Sequence, residues 1–272
     1  MRLKKGVFSL ISLLLASSAL QADVVVTQLA NNGVMLTAGD TRIMIDGMVV
    51  ETYSVYGGLS GAAASQYQQA SGAFSDVDVA LVSHRHHDHN QPRHACEFML
   101  KSTQTKVVSS PQVLGLMRER CREFITTNQR VTEINPQYGE PYVFSSGGAK
   151  ITVFPLSHGT RKYAKIQNYG HLIEIGGVTV LHIGDAAMNP EDFQRAGLDQ
   201  VKIDVAMIPF WYFSPGPGTE VINRFMNAPL KIAVHIPPGE MEEVKAYMAE
   251  DHGNVTIMEE PLKEVRFSSA GR

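Results

Sequence analysis

Four histidines fall within six positions in the stretch Ser83-His84-Arg85-His86-His87-Asp88-His89-Asn90, in a chain of 272 residues that has only ten. Imidazole nitrogens and a carboxylate are the donors that borderline divalent metals such as zinc accept. A tight histidine cluster is therefore a metal-site candidate. His84, His86, Asp88 and His89 stand at i, i+2, i+4 and i+5. That spacing cannot place all four on one side of a regular helix or strand. They converge only if the chain turns sharply where the preceding apolar run, residues 77–82, comes to an end. That run reads as a buried strand. The alternative is a solvated, histidine-rich loop.

Three more residues share this placement. His158, Asp185 and His235 each follow directly on an apolar strand, at residues 149–156, 178–183 and 230–234. Residues at one set of strand ends meet at a common sheet edge, where α/β proteins place their sites. Seven donors overfill one zinc, which takes about four or five. They suit two metals that share one carboxylate. The elements needed to position them are legible in the same pattern. Strands are expected near 24–26, 34–36, 42–46, 106–108, 169–175, 201–209, 254–258 and 263–267, with Asn31-Asn32-Gly33 and Gly39-Asp40 as turns. Helices are expected at 92–101, 111–124, 219–226 and 239–250. Residues 54–74 read as a loop with a short helix, overhanging a site. Strands with helices between them and hairpins mixed in predict an α/β fold, two mixed sheets packed face to face with helices outside, an αββα sandwich.

With these residues in place, the chain resembles the metallo-β-lactamase fold superfamily of metal-dependent hydrolases. The motif His-x-His-x-Asp-His stands at 84–89. The later positions stand as Leu156-Ser157-His158-Gly159, Ile183-Gly184-Asp185 and Val234-His235-Ile236-Pro237. The resemblance implies that His84, His86 and His158 hold one divalent metal and Asp88, His89 and His235 a second, with Asp185 bridging them. It also implies that Asp46 orients a ligand histidine from behind. The segment Asn168 to Ile175, with 180–185, is similar to the branch containing L-ascorbate-6-phosphate lactonase and N-acylphosphatidylethanolamine phospholipase D. True metallo-β-lactamases generally lack the bridging Asp, so Asp185 counts against antibiotic hydrolysis. The implied chemistry is attack by a metal-bridging hydroxide on an ester-like bond, a phosphodiester or a lactone or carboxylic ester, with Asp88 positioning the nucleophile and shuttling its proton. Zinc is the default metal; manganese and iron suit the same donors.

Composition narrows the setting. The chain opens Met1-Arg2-Leu3-Lys4-Lys5, followed by an apolar run and then small residues up to Ala22. This is the order of a secretory signal peptide, with cleavage expected after Ala22, or alternatively after Ala19. Residues 23–272 would then form one hydrolase domain, exported to a bacterial periplasm and not inserted in a membrane. Removing 1–22 takes three basic and no acidic residues, leaving 21 against 27 and a net charge of −6. That balance argues against a nucleic-acid partner; a small-molecule or lipid substrate is expected instead. Cys96 and Cys121 form one disulfide in an oxidising compartment or remain two buried thiols.

Other residues have open readings. Arg161 and Lys162 follow His158 and either grip a substrate anion or form an exposed basic pair. The aromatic run Phe210 to Phe213, with Trp211 and Tyr212, either walls a substrate pocket or belongs to the core. His171 reads as a core histidine or a support to the ligands. His87, His94, His182 and His252 read as structural or solvated. The alternatives to an ester hydrolase are a periplasmic β-lactamase, a non-catalytic metal- or ligand-binding protein, and an iron oxidoreductase on the same fold.

Overall fold

A computed structural model of the chain describes residues 23–268. The signal-peptide reading, residues 1–22, lies outside them. Two sheets of seven strands form the centre of the molecule. The first contains β1 (Val24–Gln28), β2 (Val34–Ala38), β3 (Thr41–Ile45), β4 (Val79–Leu81), β5 (Lys106–Ser109) and β6 (Val131–Glu133) in that order. The last strand, β14 (Glu264–Phe267), lies outside β1. The second contains β7 (Tyr142–Ser146), β8 (Ala149–Ser157), β9 (Gln167–Ile175), β10 (Val178–His182), β11 (Val205–Pro209), β12 (Leu230–Val234) and β13 (Val255–Ile257) in order. In both sheets the pairing changes from antiparallel to parallel part-way across. The parallel half of the first runs from β3 to β6, and that of the second from β10 to β13.

The two-residue period of a strand separates three cores. Ile43, Ile45, Val79 and Leu81 point between the sheets, where they meet Ile151, Val153, Val205, Met207 and Ile232. Their neighbours Met44 and Ala80 point outward, beneath α1 (Gly61–Gln69), α2 (Pro92–Lys101), α3 (Pro111–Arg118) and α4 (Arg122–Thr127). Leu181, Ala206, Ile208 and Ala233 do the same beneath α5 (Pro190–Arg195), α6 (Pro217–Phe225) and α7 (Met241–Asp251). The result is the expected αββα sandwich. No helix among the described residues is long and apolar enough to cross a membrane.

Several expectations need correction. The helix expected over 111–124 is two helices broken at Glu119–Cys121. Cys121 stands in the break, disulfide-bonded to Cys96 of α2, with their Cα atoms 6.0 Å apart. That closes a 25-residue separation, a loop whose tethering is worth about 3.5 kcal/mol in the chain-entropy account. The strand expected over 201–209 begins only at Val205, after a 3-10 turn at Leu198–Gln200. The segment 54–74 does hold the expected short helix, α1, together with a 3-10 turn at Gly72–Phe74. Strands β6 and β7 carry no sequence signal: all their residues but Ser146 are exposed or half-exposed, so no apolar alternation marks them.

Candidate metal centre

The His-rich loop closes a tight turn at the end of β4, in which the amides of His89 and Asn90 both donate to the carbonyl of His86, at 3.0 and 2.9 Å. Such a turn is what the spacing of four donors requires. The other sheet reaches the same edge through main-chain bonds. Tyr169 N of β9 donates to Ser83 O at 3.0 Å, Gly159 N to Asp185 O at 3.0 Å, and Ala187 N to Ser157 O at 2.7 Å. Asn168, 2 % exposed, ties three strand ends together. It accepts from Asp185 N at 3.0 Å and donates to Ile183 O and Leu156 O at 3.1 and 3.4 Å. Gly184, at φ +56°, must be glycine here. A Cβ would collide with the Asn168 side chain and come within 2.7 Å of Ser83 Cβ.

All seven donors are brought together in two groups, His84, His86, His158 and Asp185 in one, and Asp88, His89 and His235 in the other. Within each group the donor atoms lie within 4.8 Å of one another. His86 Nδ1 is 3.0 Å from His84 Nε2 and 3.1 Å from His158 Nε2. Asp185 spans the groups: Oδ2 faces His158 and His84 Nε2 at 3.8 and 3.9 Å. Oδ1 faces His89 and His235 Nε2 at 3.2 and 3.3 Å. Asp88 Oδ2 lies 3.3 Å from His235 Nε2 and 3.7 Å from His89 Nε2. This donor set fits divalent metals. Three ring nitrogens meet around His86 Nδ1, and a neutral imidazole has only one N–H to share. A cation relieves the lone-pair crowding that remains.

Asp46 sits behind this arrangement, fully buried. Its Oδ2 lies 2.8 Å from His89 Nδ1 and accepts the Ser83 hydroxyl at 2.6 Å, while Oδ1 accepts Ser83 N at 2.7 Å. Ser83 Oγ in turn contacts His84 Nδ1 at 3.0 Å. One carboxylate thus fixes one imidazole in each group, and with it the tautomer whose Nε2 lone pair points at the centre. Asp46, Asn31 and His235 all have left-handed backbones, at φ 48°, 53° and 64°. Non-glycine residues rarely adopt that conformation, and such strain collects at functional sites.

Charge divides the site in the metal-free protein. Burial pushes the His84 imidazole well below its usual range, lowers His86, and brings His158 down to about 4. Burial also opposes charge on His89 and His235, but Asp185 outweighs it and raises both; Asp46 adds to the effect on His89. Against the same burial, His235 and His89 hold Asp185 well below the carboxylate range. The first group is therefore ready to accept a cation, and the second must release protons to do so.

Sequence reasoning missed three residues at the mouth. Tyr56, from the segment read as an overhanging loop, packs edge-on against the His235 ring at 4.3 Å. Burial, then Asp185 and Asp88, push its phenol up to about 12, so it stays protonated. Tyr163 packs on His158 and His86 at 5.0 and 5.3 Å. Asn31 Nδ2 donates to Asp88 O and Oδ2 at 3.1 and 3.3 Å. None has a local signature, because each reaches the site from a different loop. Trp211 does reach the centre, 4.9 Å from the His235 ring. Tyr212 does not: it is fully buried and its hydroxyl donates to Ala186 O at 2.8 Å, so its assignment as a substrate contact is corrected to a core role. Successive residues of the 3-10 turn Phe210–Phe213 face different ways, which is why neighbours separate. Arg161 and Lys162 are exposed on the turn Arg161–Tyr163, with Lys162 Nζ 5.2 Å above the Tyr163 ring.

His171 and His182 oppose each other across β9 and β10 and are buried. His182 Nε2 contacts Asn32 O at 3.0 Å and so secures the loop carrying Asn31. Burial, then His182, bring His171 down to about 3 from 6.5. The folded state keeps this ring neutral while the unfolded chain protonates it near 6.5. The stability it contributes is complete above 6.5 and is lost as pH falls toward 3. The slope is about 1.4 kcal/mol per pH unit. Denaturant unfolding at pH 4.5 to 7.5 should show His171→Phe losing close to one proton's worth of that slope; an unchanged slope would refute the assignment.

A family model described as Beta-lactamase superfamily domain matches residues 41–252. A protein named UPF0173 metal-dependent hydrolase, from Thermococcus onnurineus, is 29% identical over 145 residues. The match covers 52% of this chain and 58% of that protein, so the chain spans little more than half of that relative. Among solved structures, one described as a possible metal-dependent hydrolase from Veillonella parvula superposes with a TM-score of 0.64 at 18% identity, covering 90% of this chain and 99% of that one. CmlA, a diiron beta-hydroxylase from Streptomyces venezuelae, superposes with a TM-score of 0.58 at 15% identity, covering 91% of this chain and 54% of that one. At these identities the structural likeness is one of fold.

Proposed function

The chain belongs to the beta-lactamase superfamily domain family, and from that premise we propose that it is an exported dinuclear metal-dependent hydrolase of an ester-like bond. The observation that carries this reading is the pair of donor groups with Asp185 facing both. His84, His86 and His158 would hold one ion, Asp88, His89 and His235 the other, and Asp185 would bridge them. Two divalent ions would supply Lewis acidity toward a carbonyl or phosphoryl oxygen and would lower the pKa of bound water to about 7. The protein supplies orientation and proton handling. Asp88 Oδ2, held by Asn31 Nδ2 at 3.3 Å, is placed to take the proton of the attacking water and return it to the leaving group. Tyr56 and Tyr163 flank the two groups, and among the described residues neither hydroxyl has a hydrogen-bond partner. Both are free to donate to the substrate.

Similarity of 168–185 to the ascorbate-phosphate lactonase and phospholipase D branch supports a lactone, carboxylic ester or phosphodiester. The Cys96–Cys121 disulfide supports export, since such bonds persist in oxidising compartments. The test is elemental analysis paired with a substrate panel. Protein loaded with zinc, manganese or iron is assayed on phosphodiesters, lactones, carboxylic esters and nitrocefin. Two metal equivalents per chain are expected, with turnover of an ester-like class that is abolished by chelator and restored by metal. Turnover of nitrocefin alone would favour a β-lactamase, and a metal-replete but inert protein a binding role. Hydroxylation with iron in place of hydrolysis would favour a diiron hydroxylase, the activity named for CmlA.

A further inference from the structure

A cavity of about 630 Å³ opens beside the second donor group, within the size range of small-molecule sites. His235 and Asn31 belong both to its wall and to the metal centre. Its apolar lining includes Ile236, Pro238 and Met241, with Met258 beneath them, and methionine adapts to irregular apolar ligands. Its acidic side comprises Glu242, Glu259 and Glu260, with Lys263 as the one lining cation. Glu242 and Glu259 share Lys245 at 3.0 and 3.1 Å. Across the centre, exposed Arg161 and Lys162 share a turn with Tyr163, which packs on His86 and His158 of the first donor group.

The cavity wall is fixed before any ligand arrives. Gln91, 1 % exposed, accepts from Val50 N and Glu51 N at 2.9 and 2.8 Å and holds the start of the loop that carries Gly57 and Gly58. At Gly58 the chain passes so close to residues 50–51 that a Cβ would lie 2.7 Å from Glu51 C. A wall ordered in advance reduces the entropy cost of binding.

We propose that this cavity receives an apolar, non-anionic arm of the substrate, with the scissile group over the donor cluster and any substrate anion toward Arg161 and Lys162. The proposal rests on the hydrolytic reading above. The apolar lining favours a hydrocarbon segment, and the acidic side disfavours a carboxylate at its end.

The test uses zinc-loaded protein and three hydroxamates, whose heads bind divalent metals: acetohydroxamate, octanohydroxamate and the eight-carbon hydroxamate ending in a carboxylate. Trp211 is the only tryptophan of the chain and packs on His235. Its emission reports binding without turnover, and calorimetry supplies the affinities. Octanohydroxamate should bind roughly 100-fold tighter than acetohydroxamate, from burial of the added methylenes. The carboxylate-ended probe should lose most of that gain. Met241→Trp, measured by calorimetry, should erase the octanoyl advantage. Glu242→Lys combined with Glu260→Lys, both exposed, should restore binding of the carboxylate-ended probe, and this variant decides the question even if Met241→Trp folds poorly. Equal affinities for the short and long probes, an octanoyl advantage that survives folded Met241→Trp, or a carboxylate-ended probe that stays weak in the double lysine variant would overturn the proposal. Arm selectivity in a protein inert on the ester panel would instead overturn the hydrolytic reading and leave the cavity assignment standing.

Discussion

Asp185→Asn is expected to leave a folded protein that has lost its hydrolytic activity and at least one of its two metals. The carboxylate faces both groups, with Oδ1 3.2 Å from His89 Nε2 and Oδ2 3.8 Å from His158 Nε2. Asparagine keeps the shape but offers one weak acceptor in place of two charged ones. The ion lost removes several kcal/mol of Lewis-acid stabilisation, which is about 1000-fold or more in rate. Metal content by elemental analysis, kcat on the responsive substrate and a far-ultraviolet spectrum for folding make the measurement. Full activity with two metals would remove Asp185 from the bridging role and undo the dinuclear reading.

Asp46→Asn should be the second most damaging change, although this residue touches no substrate. Asp46 Oδ2 receives His89 Nδ1 at 2.8 Å, which leaves His89 Nε2 as a lone pair. An asparagine NH2 turned toward that nitrogen makes it an acceptor, moves the imidazole proton to Nε2 and turns away the metal. Asparagine tolerates the left-handed backbone of position 46, so the change tests the carboxylate and not the strain. The expected loss is about 10–100-fold in metal affinity, largest in the group of Asp88, His89 and His235. A smaller loss at His84 should pass through Ser83. Competition with a chelator resolves the two sites. Unaltered affinity at both would show that Asp46 only fills space.

Much of this organisation is legible along the chain. An apolar run ending in a polar donor marks β4 before His84, β8 before His158 and β12 before His235. The parallel strands β4 and β12 are buried on both faces and must be apolar, while antiparallel β8 brings its donor to the same sheet edge. Elements with little periodicity are not legible: β6 and β7 lie at sheet edges with little burial, α5 is a six-residue helix, and the helix break at Cys121 reflects a link to a residue 25 positions away.

Donor types, their order and the sandwich of two sheets are legible along the chain, because they follow from local chemistry and from strand and helix periods. The tertiary structure decided what lies behind and around the donors. Packing of the two sheets put Asp46 behind His89, Asn31 on Asp88, and Tyr56 and Tyr163 on opposite donor groups, while turning Tyr212 away into the core. Those placements depend on contacts between segments up to about 200 residues apart, such as Asn31 with His235. No spacing along one strand or turn encodes such contacts, which arise only when distant elements pack against one another.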